Sequence, residues 1–299
     1  MQYDTAYFDS EEFQELFHSF ETAEANGEHP FLDADDLVDI ADYYNYNGNY
    51  DKAVSVVDYA LDLYPNATLP NVFKAREALV EGNFAEARRY AGAIEETDDP
   101  DYHYLVAEIL IAEQHLDEAA RYLHDYSLTV EADEYEDFLC DCADLYMYYG
   151  QYKEVQQYYN ELLDRDPYST TWWNALASAQ YLNEQFGDAV TSSEYALAIN
   201  PKDSEALAIK GSALIQLGNI EEAVIYLRRY VEIVPDDYPF MAACCYELDY
   251  PEEFLYYLQI ACQYDPEGTR QALGRLFPED MEVGDYYQYM VEQLNQVKN

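Results

Sequence analysis

The chain has 299 residues, 49% of them hydrophobic, and carries 61 Asp and Glu against 15 Lys and Arg, a formal charge of −46. That apolar share is enough for a large core and excludes a disordered chain. The charge repels nucleic-acid phosphates and anionic membrane surfaces, so neither is expected as a partner, and cationic proteins or peptides are favoured.

The opening MQYDTAYFDSEEF has no basic start and no apolar stretch, so a secretory signal is not expected. Asp9 and Glu12 read as a capping-box-like start to a helix whose Phe13, Leu16, Phe17 and Phe20 need a neighbour to cover them. The most apolar run, Tyr104 to Ala112, is interrupted by Glu108 and is far shorter than the ~18 residues of a membrane helix. Five cysteines, an odd number in a long chain, do not suggest a disulfide framework, and a reducing, cytoplasmic setting is expected.

From Gly48 onward the sequence repeats itself. The motif Gly48-Asn49-Tyr50-Asp51-Lys52-Ala53 returns with its last residue at Ala87, Ala119, Val155, Ala189, Ala223 and, degraded, Phe254. The intervals are 34, 32, 36, 34, 34 and 31 residues. Pro167, Pro201 and Pro235 keep the same register, with Pro65 and Pro266 at matching places. Each copy reads as two helices around a turn. Leu37, Ile40, Ala41 and Tyr44 form the apolar stripe of the first, and Val54, Val57, Ala60 and Leu61 that of the second. Small residues recur where two helices must approach closely: Ala41, Ala75, Ala107, Ala143, Ala177 and Gly211 in first helices, Ala53, Ala87, Ala119, Ala189 and Ala223 in second ones. After Pro266 two further helices are expected, Thr269–Phe277 and about Val283–Val297.

This pattern resembles the tetratricopeptide repeat, a helix–turn–helix of 34 residues. Trp173, Leu176, Ala177, Ala189, Ala196 and Pro201 match it, as do Leu207, Gly211, Leu214, Ala223, Leu227 and Pro235. The resemblance implies an all-α fold, a right-handed α-solenoid of about seven such repeats over residues 34–266. A capping helix in 1–33 and capping helices in 267–299 would close its ends. It also implies a scaffold or adaptor that binds a peptide or protein segment in a concave groove lined by first helices. The copy around Leu69–Asp99 departs from the pattern with Asn71 at the aromatic place, and the last copy with Phe254 at the small one.

Chemistry-bearing constellations are hard to find. Lys210-Gly211-Ser212 has phosphate-loop letters in the wrong order, and His18, His29, His103, His115 and His124 show no paired metal spacing. Cys140 and Cys142 point to different helix faces, and Cys142 and Cys245 read as core fillers. No catalytic residue, metal or cofactor is expected, and the chain is read as no enzyme. Tyr90, Tyr122, Tyr158, Tyr226 and Tyr257 share one place in successive second helices and read as packing residues.

One pattern does not follow from packing. Asp35, Asp39, Asp42 and Tyr46 lie at i, i+4, i+7 and i+11, opposite the apolar stripe of the first helix. Asp137, Asp141, Asp144 and Tyr148 reproduce them 102 residues later, and Asp101 and Glu108 hold equivalent places between. In the related family this face lines the groove, so these residues are the candidate site. Thr171, Ser178, Tyr181, Ser212 and Gln216 are neutral there, so the groove is expected to run from acidic to neutral. The family's best-known groove grips an anionic tail with Lys, Arg and Asn. Here only Arg76 and Asn174 resemble that set, and a clamp of that kind is not expected.

The expected partner is therefore a basic protein or peptide segment. A plain solvated surface on an acidic protein explains the same residues, and a self-assembling structural protein, pairing through terminal helices or exposed tyrosines, is the alternative function.

Overall fold

A computed structural model describes residues 5–27, 30–234, 237–247, 250–276 and, singly, 288. Among the described residues every regular element is an α-helix. A short α1 (Thr5–Phe8) and α2 (Glu11–Ala25) come first. Helical pairs follow: α3 (Ala34–Tyr46) with α4 (Tyr50–Leu63), α5 (Thr68–Val80) with α6 (Phe84–Ala91), and α7 (Pro100–Ala112) with α8 (Leu116–Ser127). Next come α9 (Tyr135–Tyr148) with α10 (Tyr152–Arg165) and α11 (Thr170–Leu182) with α12 (Phe186–Ile199). The series ends with α13 (Ser204–Gln216) and α14 (Ile220–Ile233), α15 (Tyr238–Glu247) and α16 (Pro251–Tyr264), then α17 (Pro266–Leu276). The chain divides into two compact units, Met1–Leu145 and Tyr146–Asn299.

One turn chemistry serves nearly every pair. At Gly48, Gly82, Gly150 and Gly218 the backbone adopts φ of 76°, 72°, 67° and 76°. Only glycine enters that left-handed region without steric cost. The next amide then reaches back to the first helix: Asn49 N donates to Tyr44 O at 2.8 Å, Asn83 N to Ala78 O at 2.8 Å and Asn219 N to Leu214 O at 2.9 Å. Gln114 and Glu184 hold the same conformation at φ 64° and 59° without being glycine. Among the described residues these are the places where the recurring motif lacks its glycine.

The close-approach alanines are fully buried. Ala41, Ala75, Ala107, Ala143 and Ala177 in first helices, and Ala53, Ala87, Ala119, Ala189 and Ala223 in second helices, expose nothing. In the first unit Leu37, Ile40, Tyr44, Val56 and Val57 pack with Phe20 of α2, and Val72, Leu79, Ile94, Leu105 and Ile109 form a second core cluster. In the second unit Leu227, Val231, Met241, Cys245, Phe254, Leu258 and Cys262 share a core with Leu273 of α17. Cys142 and Cys245 are buried as expected. The second-helix tyrosines pack too: Tyr158 stacks on Tyr146 at 5.7 Å between centroids and Tyr257 on Tyr238 at 6.2 Å.

Two local expectations change. The cap of α2 is Ser10, whose Oγ accepts from Phe13 N at 3.1 Å, and not Asp9. A capping side chain belongs to the residue just before the first helical one, and the helix begins at Glu11. Likewise α17 begins at Pro266 rather than Thr269, since proline fits a first helical turn and Asp265 Oδ1 accepts from Gly268 N at 3.0 Å. Phe277, the expected helix Val283–Val297 and Pro235 lie outside the described residues.

Candidate partner-binding face

Asp33 opens α3, its Oδ1 accepting from Asp36 N at 2.9 Å. The helix then turns Leu37, Ile40, Ala41 and Tyr44 into the core. On the opposite side Asp35 and Tyr46 are exposed and Asp39 and Asp42 half-buried. The spacing read from sequence is thus a real face.

That face is under electrostatic load. Desolvation, reinforced by repulsion from Asp39 and only partly offset by Arg76, lifts the Asp42 carboxyl to about 6. Desolvation lifts Asp35 as well, with Asp33 and Asp99 adding to it. Asp39 is raised by desolvation and by Asp36, Asp35 and Asp33, while the Tyr7 hydroxyl facing it opposes the rise. Asp101, on α7, is raised by desolvation and by Asp99 and Asp35, against the pull of Arg76. The carboxylates of α3 and α7 therefore sense one another across α5, which contributes Arg76 between them.

Glu108 is different from its register-mates. It is buried, 6% exposed, and its Oε2 accepts from Arg76 Nε at 2.8 Å. Sequence spacing placed it on the binding face; packing places it in an internal ion pair. The reason is its neighbour, since only α5 carries a cation at this place.

On α9, Asp137, Asp141 and Asp144 are all exposed. The Tyr104 hydroxyl of α7 faces Asp141 and acts to lower its pKa. Desolvation and the charges of Asp144, Asp137 and Asp101 outweigh this and leave it raised. The same surroundings push the Cys140 thiol up to about 11, burial first and the acids after it. Tyr148 closes the helix, 66% exposed, with Tyr149 edge-on at 5.1 Å.

In the second unit Thr171 and Gln216 are exposed and Ser178, Tyr181 and Ser212 half-buried, whereas Asn174 is more internal than the sequence implies. Asn174 is 4% exposed, and its Nδ2 donates to Asp203 Oδ1 at 2.8 Å. Asp203 also caps α13, accepting from Ala206 N at 3.0 Å. Asn174 therefore ties α11 to the start of α13 and does not stand open. Tyr181 is half-buried and packs edge-on against Phe186 at 5.4 Å.

Sequence reasoning missed three arrangements. Arg76 with Glu108 is one, and the tyrosine hydroxyls on Asp39 and Asp141 are another. The third is Lys210, 2% exposed, whose Nζ lies 2.7 Å from Glu194 Oε1 and 2.8 Å from Tyr226 Oη. Burial pushes its pKa down, and those two hydrogen bonds more than reverse this. A lone lysine beside the close-approach glycine of a first helix was the available signal.

A family model described as tetratricopeptide repeat matches residues 175–238. Residues 175–238 carry tetratricopeptide repeats. The matched stretch covers most of α11 and all of α12, α13 and α14, and the same left-handed turn recurs at Gly48, Gly82 and Gln114 in the first unit. Among solved structures, PilW, described as a widely conserved type IV pilus biogenesis factor, is 16% identical with a TM-score of 0.49, over 68% of this chain and 94% of that one. MamA is 14% identical with a TM-score of 0.42, over 66% of this chain and 96% of that one. No curated protein matches the chain. Tetratricopeptide repeats are in general scaffolds for protein–protein interaction, and among the described residues no helix is long and apolar enough to cross a membrane.

Proposed function

We propose that this protein is a non-catalytic, cytoplasmic adaptor that holds a basic segment of another protein on the acidic first-helix face of α3, α7 and α9. Residues 34–266 would be seven repeats between capping segments. One observation carries the proposal: Asp35, Asp39 and Asp42 line the side of α3 opposite its core stripe and Asp137, Asp141 and Asp144 stand exposed on α9, with desolvation and neighbouring acids raising Asp35, Asp39, Asp42 and Asp141. Carboxylates that are partly desolvated and repel one another cost the folded state free energy, and an incoming cation returns it. Tyr46 and Tyr148, 54% and 66% exposed, offer ring faces to a guanidinium.

The test is charge removal with a matched control. A labelled nona-arginine peptide is titrated against wild type and against a variant with Asp39, Asp42, Asp141 and Asp144 changed to Asn. The control variant changes Asp51, Asp62, Asp117 and Asp125, exposed acids of second helices, to Asn. Both variants lose the same charge. The face variant should lose more affinity than the control, mostly in the association rate, and the difference should shrink as salt shortens the screening length below ~8 Å. Equal losses would leave the acids as solvated surface only.

A further inference from the structure

Helix α1 lies against the same face of α3 that the acidic-face proposal assigns to the partner. The Tyr7 hydroxyl faces Asp39, near enough for each to shift the other's pKa, and its ring stands edge-on to Phe13 at 5.4 Å. Phe8, 6% exposed, sets its ring 5.4 Å from Tyr43 and 5.9 Å from Tyr46, with Phe13 of α2 at 5.1 Å. Gln14 Nε2 donates to the Phe8 carbonyl at 2.7 Å. One carboxylate and one ring of the face, Asp39 and Tyr46, are therefore already engaged from within the chain.

We propose that α1 is a resident occupant of the α3 face, seated where the partner's segment binds and displaced by it, a role that rests on the acidic face being the partner's site. The copy 102 residues later shows what is unusual here. Asp141 also faces a tyrosine hydroxyl, that of Tyr104. Tyr104 belongs to α7, a thirteen-residue helix whose Leu105, Ala107, Ile109 and Ile111 are buried, so it cannot leave without opening a hairpin. Tyr7 belongs to a helix of four residues, too short to persist unsupported, and among its described side chains Phe8 is the one in the core. The same hydroxyl–carboxylate pairing is fixed at α9 and releasable at α3. A partner that needs Asp39 binds only the released form, so its apparent affinity is lowered by the fraction of molecules with α1 seated.

The experiment uses the full chain with Tyr7→Phe and Phe8→Ala, and the labelled nona-arginine peptide as probe at one fixed salt concentration. Phe8→Ala should tighten binding roughly tenfold, the worth of one hydroxyl–carboxylate contact and its packing, and Tyr7→Phe by less. Tyr7→Phe keeps the ring and removes only the hydroxyl, so its thermal melt should match wild type while carbodiimide coupling at Asp39 rises relative to Asp141. Wild-type affinity in both variants, or weaker binding in either, would overturn the proposal, because α1 would then be a plain end cap or a part of the site. No rise in Asp39 coupling would contradict release directly. If neither wild type nor the variants bind the peptide, the acidic-face proposal itself falls and this inference with it. Binding that is lost on charge removal yet indifferent to residues 7 and 8 sinks the inference alone.

Discussion

A Cβ placed on Gly211 would stand 2.5 Å from Cδ2 of Leu227, a side chain with no exposed surface. Gly211 lets α13 and α14 approach more closely than any other residue would allow. Gly211→Ala should destabilise by about 1–3 kcal/mol through overpacking, despite the ~1 kcal/mol that alanine gains in helix propensity. Gly187, early in α12 with nothing within 4 Å of its absent Cβ, should respond oppositely, with Gly187→Ala gaining about 0.5 kcal/mol. Thermal melts of the two variants side by side check both signs.

Acidification should strengthen the fold. The Asp42 carboxyl titrates at about 6 in the folded protein against a reference of 3.8. Between those values the folded state binds more protons than the unfolded one, so stability rises as pH falls through that window and is lost again as pH climbs past 6. Asp35, Asp39, Asp101 and Asp141 shift in the same direction. Urea midpoints at pH 7 and pH 5 should differ in favour of the lower pH. Asp42→Asn should remove on the order of 1–2 kcal/mol of that difference.

Breaking the internal ion pair from the arginine side should be the most damaging change on this face. Arg76→Leu takes the arginine's charge away from Glu108, whose side chain is 8% exposed, and removes the cation that restrains Asp42 and Asp101. A loss of about 3 kcal/mol is expected. Glu108→Gln should cost less, because the arginine keeps 28% of its side chain in solvent. Urea unfolding of both variants measures the asymmetry.

Lys210 gives the reverse case. Its acidic partner Glu194 keeps 57% side-chain exposure while the lysine keeps 3%. Lys210→Met therefore leaves no buried charge behind, only the half-buried Tyr226 hydroxyl without its donor, and should stay within about 1 kcal/mol of wild type. Tyr226→Phe, which leaves the ammonium buried with one acceptor fewer, should cost about 1.5 kcal/mol. Measured stabilities in the opposite order would mean that the lysine and not its surroundings carries the interaction.

The repeats were legible because backbone geometry and close packing leave a residue-level trace. A left-handed turn demands glycine, as at Gly48, Gly82, Gly150 and Gly218, and a close helix crossing demands alanine or glycine, as at Ala41 or Gly211. The charged face was legible as a pattern of spacing and less so as a set of exposures. Glu108 and Asp101 share a register, yet one is buried against Arg76 and the other is half-buried and repelled by Asp99 and Asp35. Asn174 went inward because Asp203, 29 residues on, supplied an acceptor. Register fixes which way a side chain points from its own helix. What it meets depends on the neighbouring helix, and that information lies a whole repeat away. Tyr7 was illegible for a simpler cause: it precedes the first repeat and has no register at all.

The turns at Gln114 and Glu184 hold their left-handed conformation with a side chain attached, a local strain of about 1–2 kcal/mol each. One lies in each unit. Opening either turn returns that strain, so the amides of His115 and Gln185, which reach back to Leu110 and Gln180 at 2.8 Å, should exchange with solvent sooner than those of Asn49 and Asn219. Among the described residues, the softest hairpins should then be those whose turns force a side chain into left-handed backbone.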